Sequence, residues 1–232
     1  MSVEKTDIKK PSLLGIITHP VRQFERIKER PTIWLPLIIV LVLSSLADYF
    51  NRLNYPKLYN GERSFGSYVI HGTVNPILLF VIITLILWMI AKLGRGKTNF
   101  ACVFSLFIHV YFLTAMKDLI VALIKYFSNT SPDVFSYISL TGFVPANNYL
   151  TGFLGIFDIF LIWTLILLAI GLQKTAEASK TSSWVGIAVL FLILLGFLFI
   201  ILAIAFLVVQ LLMAIVDIFE SINSLFKPFY TL

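Results

Sequence analysis

Residues Asn75–Leu113 read NPILLFVIITLILWMIAKLGRGKTNFACVFSLFIHVYFL, two long apolar runs joined by a short basic turn. A bilayer core about 30 Å thick needs about 20 apolar residues as helix to cross it. The first run, Val69–Ala91, has no charged residue, and Trp88 lies near one end. The second starts at Thr98, reaches about Met116, and can continue past Lys117 and Asp118 to Phe127. The pattern predicts two antiparallel membrane-spanning helices. The turn ends in Gly96-Lys97-Thr98, the last letters of a phosphate-binding loop, G-x-x-x-x-G-K-[ST]. The first glycine of that loop should stand at residue 91, which is Ala91, and no strand precedes it. We therefore read Lys92–Lys97 as a tight turn, its glycines supplying the bend and its charges the topology.

Composition supports the same fold class. The chain has 232 residues, 59% hydrophobic and 13% charged, where soluble domains carry about 25% charged residues. It cannot cover a globule with polar surface, so it is read as an integral membrane protein. The net charge of +6 marks a cytoplasmic side rather than nucleic-acid binding. The single cysteine, Cys102, excludes an internal disulfide and a cysteine-cluster metal site. Residues 1–32 are mostly polar, so no cleavable signal peptide is expected.

Three further runs complete five expected spans. They are Pro31–Ala47, closed by Asp48; about Phe153–Leu172, containing Asp158; and a run from Ser183 with no charge until Asp217. Lys and Arg set the orientation. Seven lie in residues 1–32, three in the second turn and two between the fourth and fifth runs, twelve on one side. Arg52, Lys57, Arg63, Lys125 and Lys227 make five on the other. The expectation is an all-α polytopic membrane protein with five transmembrane helices, N-terminus cytoplasmic and C-terminus external. Three parts follow: a cytoplasmic segment 1–32, a membrane domain 33–213, and an external amphipathic helix 214–232.

The expected outer loops, 48–68 and 128–152, are rich in Asn, Tyr, Ser, Phe and Gly and suit a cap at the interface. Asn129-Thr130-Ser131 is a glycosylation sequon. In the N-terminal segment, Pro20 suits a first helical position. Val21, Phe24 and Ile27 recur at helical spacing among Arg22, Arg26, Lys28 and Arg30. That predicts a short amphipathic helix on an anionic cytoplasmic leaflet, with Arg22, Phe24, Arg26 and Lys28 in contact with lipid.

No cofactor, metal or catalytic constellation stands out. His19, His71 and His109 are far apart, and no G-x-S-x-G or paired-acid pattern is present. The chain reads as a non-enzyme. Lys117 and Asp158 fall at similar heights on sequential antiparallel spans, about 28 and 22 Å from the cytoplasmic ends. An ion pair between them would offset the cost of burying either charge; the alternative is that each side chain snorkels to the outer interface. His109 is expected to be a hydrogen-bonded core residue. The last run continues without proline to Phe226. Gln210, Asp217, Ser221 and Ser224 line one helical face, and Leu211, Ile215, Ile218, Ile222 and Leu225 line another. That second stripe exceeds what a bilayer needs and is a candidate partner-binding surface.

Phe157–Leu195, FDIFLIWTLILLAIGLQKTAEASKTSSWVGIAVLFLILL, resembles the hallmark of the bacterial YIP-domain family. An apolar helix with a tryptophan ends in L-x-x-x-G-L before a short basic turn, matched by Trp163, Leu167, Gly171, Leu172 and Lys180. Pro20, Phe24, Ile27 and Pro31 resemble the family's N-terminal entry. The resemblance implies five membrane helices and no catalytic residues. Eukaryotic members act with Rab-type GTPases, but their acidic cytoplasmic segment is missing here. The YknW-type branch is the most similar, which implies membership of a bacterial plasma-membrane complex with ABC exporter subunits. The function expected is a non-catalytic assembly or regulatory partner of a transporter. The alternative is a small transporter or channel, which would need more polar residues lining a path.

Overall fold

The computed structural model describes residues 9–54, 75–128, 155 and 157–226. Every element in them is a helix: α1 Gly15–Thr18, α2 Pro20–Glu29, α3 Trp34–Asn54, α4 Asn75–Leu93, α5 Phe100–Ser128, α6 Ile159–Thr175 and α7 Lys180–Phe226. Four of them, α3, α4, α5 and α7, are long and apolar enough to cross a membrane, and α6 is a shorter apolar helix of 17 residues. The chain forms two compact units, Met1–Ile187 and Ala188–Leu232.

In the first unit α5 is the hub, with α2, α3, α4 and α6 all packed on it. Its side chains explain why. Val103, Leu106, Ile108, Val110, Ala115 and Ala122 are fully buried, on several sides of the helix. Against α4, Phe80 meets Phe107 and Tyr111 edge-on at 5.3 and 4.6 Å, a favoured aromatic geometry. Against α3, Phe50 meets Tyr126 at 5.3 Å, and Asn54 Nδ2 donates to the Ala122 carbonyl at 3.2 Å. Gly171 lets α6 close on Leu106, where a Cβ would collide. The second unit is the rest of α7, with exposed large apolar residues along it from Leu192 to Ile222.

Several expected boundaries move. The first span's helix runs on through Asp48 to Asn54, and within this extension Arg52, one turn later, binds the Asp48 carboxylate at 2.7 Å. The fourth does not carry Asp158 inside it. α6 starts at Ile159, and Asp158 is its N-cap. α7 starts at Lys180, three residues before the expected Ser183. The two loops expected to cap the outer face lie mainly outside the described residues, as does the sequon.

Candidate functional site

α2 is held at one end of the first unit by side chains from three other segments. Pro20 occupies its first position and Arg26 and Lys28 its last turn, where positive charge suits the helix dipole. The last carbonyls of a helix have no partner within it. Here Cys102 Sγ lies 4.0 and 3.9 Å from the Ile27 and Lys28 carbonyls. Thr175 Oγ1 donates to the Phe24 carbonyl at 3.2 Å, and Ser105 Oγ to the Thr32 carbonyl at 2.8 Å. Gln23 is buried and accepts the Ser12 N–H at 2.9 Å. Lys28 pairs with Glu177 in the turn after α6. The hydrogen bond from Lys28 holds the Glu177 carboxyl below its usual range, and the same bond raises the Lys28 ammonium.

This docking corrects one expected lipid contact. Phe24 is 0% exposed and belongs to the protein core with Ile16 and Ile27. Arg22 and Lys28 are exposed and Arg26 is half-buried.

The α4–α5 turn is stitched to the α6–α7 turn. The Arg95 N–H donates to the Lys92 carbonyl and the Gly96 N–H to Ala91, the paired bonds of a Schellman motif. The left-handed residue of that motif is Arg95, at φ 61°, and no described glycine has positive φ. The glycines therefore serve close approach instead of the bend. A Cβ on Gly96 would lie 2.6 Å from the Ala176 carbonyl oxygen, and one on Gly94 2.6 Å from Ser182 Oγ. The Ser179 N–H donates to the Gly94 carbonyl at 3.1 Å. With the Gly94, Arg95 and Gly96 amides all committed to α4 carbonyls, none is left to cradle a phosphate.

Toward the other end of α5, Lys117 Nζ lies 2.8 Å from Asp158 Oδ2 and 3.2 Å from Asp118 Oδ1. The Lys117 and Asp158 side chains are 13% and 5% exposed. Asp158 has a second task, accepting the Leu161 N–H through Oδ1 at 2.7 Å. Asp118 joins this cluster beyond the expected pair, and its place beside Lys117 in sequence is the available signal. Between the two ends, His109 is buried, its Nδ1 donating to the Ser105 carbonyl at 2.7 Å. Its Nε2 has no hydrogen-bond partner among the described residues. Among the described residues no group of His, Cys, Asp and Glu is arranged to hold a metal ion.

A model of the Yip1 domain matches residues 14–204. This chain belongs to the Yip1 family. It is 34% identical over 217 residues to Membrane protein YknW of Bacillus subtilis (strain 168), across 84% of this chain and 93% of that protein. No solved structure matches it.

The Yip1 match takes in α1 to α6 and ends inside α7, which continues to Phe226. Leu211, Ile215, Ile218 and Ile222 lie on that continuation and are exposed, and the Leu225 side chain is outside the description. The apolar surface is wider than the expected stripe. Leu212, Val216 and Phe219, the last 73% exposed, extend it round the helix.

Proposed function

We propose that this Yip1-family protein is a five-span bacterial cell-membrane protein, N-terminus cytoplasmic and C-terminus external. In this reading it is a non-catalytic assembly or regulatory partner of a transporter, specifically an ABC exporter. α7 is the observation that supports partnership. It is 47 residues long and apolar, about 70 Å at 1.5 Å per residue, where a bilayer core takes about 30 Å. Lipid covers only part of such a helix, and the remainder presents apolar surface suited to another protein. The five-span count takes α6 as the fifth span, since its 17 residues reach about 26 Å. The orientation rests on the Lys/Arg asymmetry.

The test is purification of the tagged full chain from its native membrane in mild detergent. The expected result is stoichiometric recovery of the membrane and ATP-binding subunits of one exporter. Recovery of the chain alone, with solute flux through vesicles that contain only this protein, would overturn the reading in favour of a small transporter.

A further inference from the structure

The N-terminal segment has two sides. Ile16, Gln23, Phe24 and Ile27 face the protein. Leu14, Ile17 and Val21, large apolar residues of the same segment, are 64, 42 and 39% exposed. Leu14 and Ile17 are one turn apart, so they share a face. The described chain leaves each of these side chains partly open. They are accompanied by exposed Lys9, Lys10, Arg22, Lys28 and Arg30 and half-buried Arg26. From Lys9 to Arg30 there are six basic residues and only two acidic ones, Glu25 and Glu29.

The position of the segment selects its occupant. α2 ends at Glu29 and the membrane-spanning α3 begins at Trp34. A linker this short holds the segment near one surface of the bilayer. The bonds from Thr175 to Phe24 and from Ser105 to Thr32, with the Lys28–Glu177 pair, remove freedom to swing away. Trp34 and Leu35 are also exposed, at the start of α3. Apolar side chains among cations, held at bilayer height, match the chemistry of an anionic headgroup layer, with the cations on phosphates and the apolar groups at the acyl boundary.

We infer that the outer face of α1 and the start of α2 is a built-in binding surface for anionic lipid, with Leu14, Ile17 and Val21 entering the headgroup layer and Arg22, Arg26 and Arg30 meeting its phosphates. The core side of α2 keeps this surface fixed to the membrane domain, so lipid charge on one leaflet bears directly on the junction of α2, α5 and α6.

The test uses the full chain with an environment-sensitive fluorophore on Ile17→Cys, and separately on Leu14→Cys, while native Cys102 is buried and stays unlabelled. The protein is placed in vesicles of phosphatidylcholine alone and of phosphatidylcholine with phosphatidylglycerol. Doxyl-labelled lipid is expected to quench both positions in the anionic vesicles by about twofold or more over neutral vesicles, as seating in the headgroup boundary requires. Replacing Arg22, Arg26 and Arg30 by Gln should remove that difference. Both labelled positions are exposed, so neither variant threatens the core. Equal quenching in the two vesicle types overturns the anionic assignment. Free access of aqueous iodide without lipid quenching overturns the surface altogether, as does protection that arises only when other membrane proteins are added.

Discussion

Lys117 and Asp158 are 41 residues apart in sequence, yet Nζ and Oδ2 are 2.8 Å apart. The contact joins the body of α5 to the first turn of α6, because the other oxygen of Asp158 caps that helix. One carboxylate thus fixes both where α6 starts and how it sits on α5.

The two roles separate by substitution. Asp158→Asn can keep an oxygen for the cap but leaves Lys117 with Asp118 alone. An outright broken buried pair costs roughly 3–5 kcal/mol, so with Asp118 retained we predict a loss of about 1–3 kcal/mol. Asp158→Ala also removes the cap and should cost about 1 kcal/mol more. Denaturation of the detergent-solubilised protein checks the order, and an Asn variant as stable as the parent would remove the pair from any structural role.

The α4–α5 turn gives opposite signs at neighbouring positions. Gly96→Ala drives a Cβ toward two carbonyl oxygens, those of Ala176 and Ala91, and we predict about 1–3 kcal/mol of destabilisation from overpacking. Arg95→Gly relieves a left-handed residue and should be neutral or stabilising by up to about 1 kcal/mol. Thermal midpoints of the two variants measure this. Equal loss in both would contradict the backbone geometry described for the turn.

The Lys28–Glu177 pair carries the pH dependence of α2 docking. The Glu177 carboxyl is held low in the folded protein, so its contribution is present above the unfolded carboxyl value of about 4.3 and is lost as pH falls through the folded one. The Lys28 ammonium is raised, so its contribution is present below about 10.4 and is lost as pH rises through the folded value. Hydrogen exchange across residues 20–29 should be faster in Glu177→Gln than in the parent at neutral pH. The gap should close on acidification below the carboxyl range and shrink in high salt. A gap independent of pH would assign the effect to packing alone.

Orientation can be read with one reagent. Lys97→Cys and Glu220→Cys both replace exposed residues and avoid the crowded Gly96. In intact cells an impermeant thiol reagent is expected to label position 220 and spare position 97. Labelling of 97 from outside would reverse the assignment drawn from the Lys/Arg count.

Apolar runs made the long helices legible, since length and the absence of charge fix a membrane helix with little ambiguity. Ends were less legible because they depend on partners. Asp48 looks like a stop, yet the helix continues past it and Arg52 pairs with it one turn on, and Asp158 looks embedded although it caps α6. Periodicity placed Phe24 and Ile27 on one face of α2 but could not say whether lipid or protein covers that face. α5 and α6 decide this by supplying Cys102, Ser105 and Thr175. The spacing of Lys117 and Asp158 along antiparallel helices was enough to bring them together on paper, whereas the left-handed Arg95 left no mark in sequence beside two glycines.

α7 continues beyond the Yip1 match to Phe226. Its apolar surface from Leu211 to Ile222 is exposed, and either lipid or a protein must cover it. These coverings respond differently to charge. A helix resting on lipid can turn or rise to keep two new carboxylates in water, whereas a helix seated on a protein surface buries them. Ile218→Asp with Ile222→Asp should therefore reduce recovery of a co-purifying partner by on the order of tenfold or more, since each 1.4 kcal/mol is a factor of ten. Insertion should be unchanged, because both residues belong to the second unit and Lys117–Asp158 and the α2 dock to the first. Quantitative recovery of tag and partner from parent and variant membranes measures it. If the variant inserts normally and keeps its partner at parental levels, lipid is the cover, and the protein contact must be sought on the first unit, beginning with the exposed basic turns at Arg95 and Lys180.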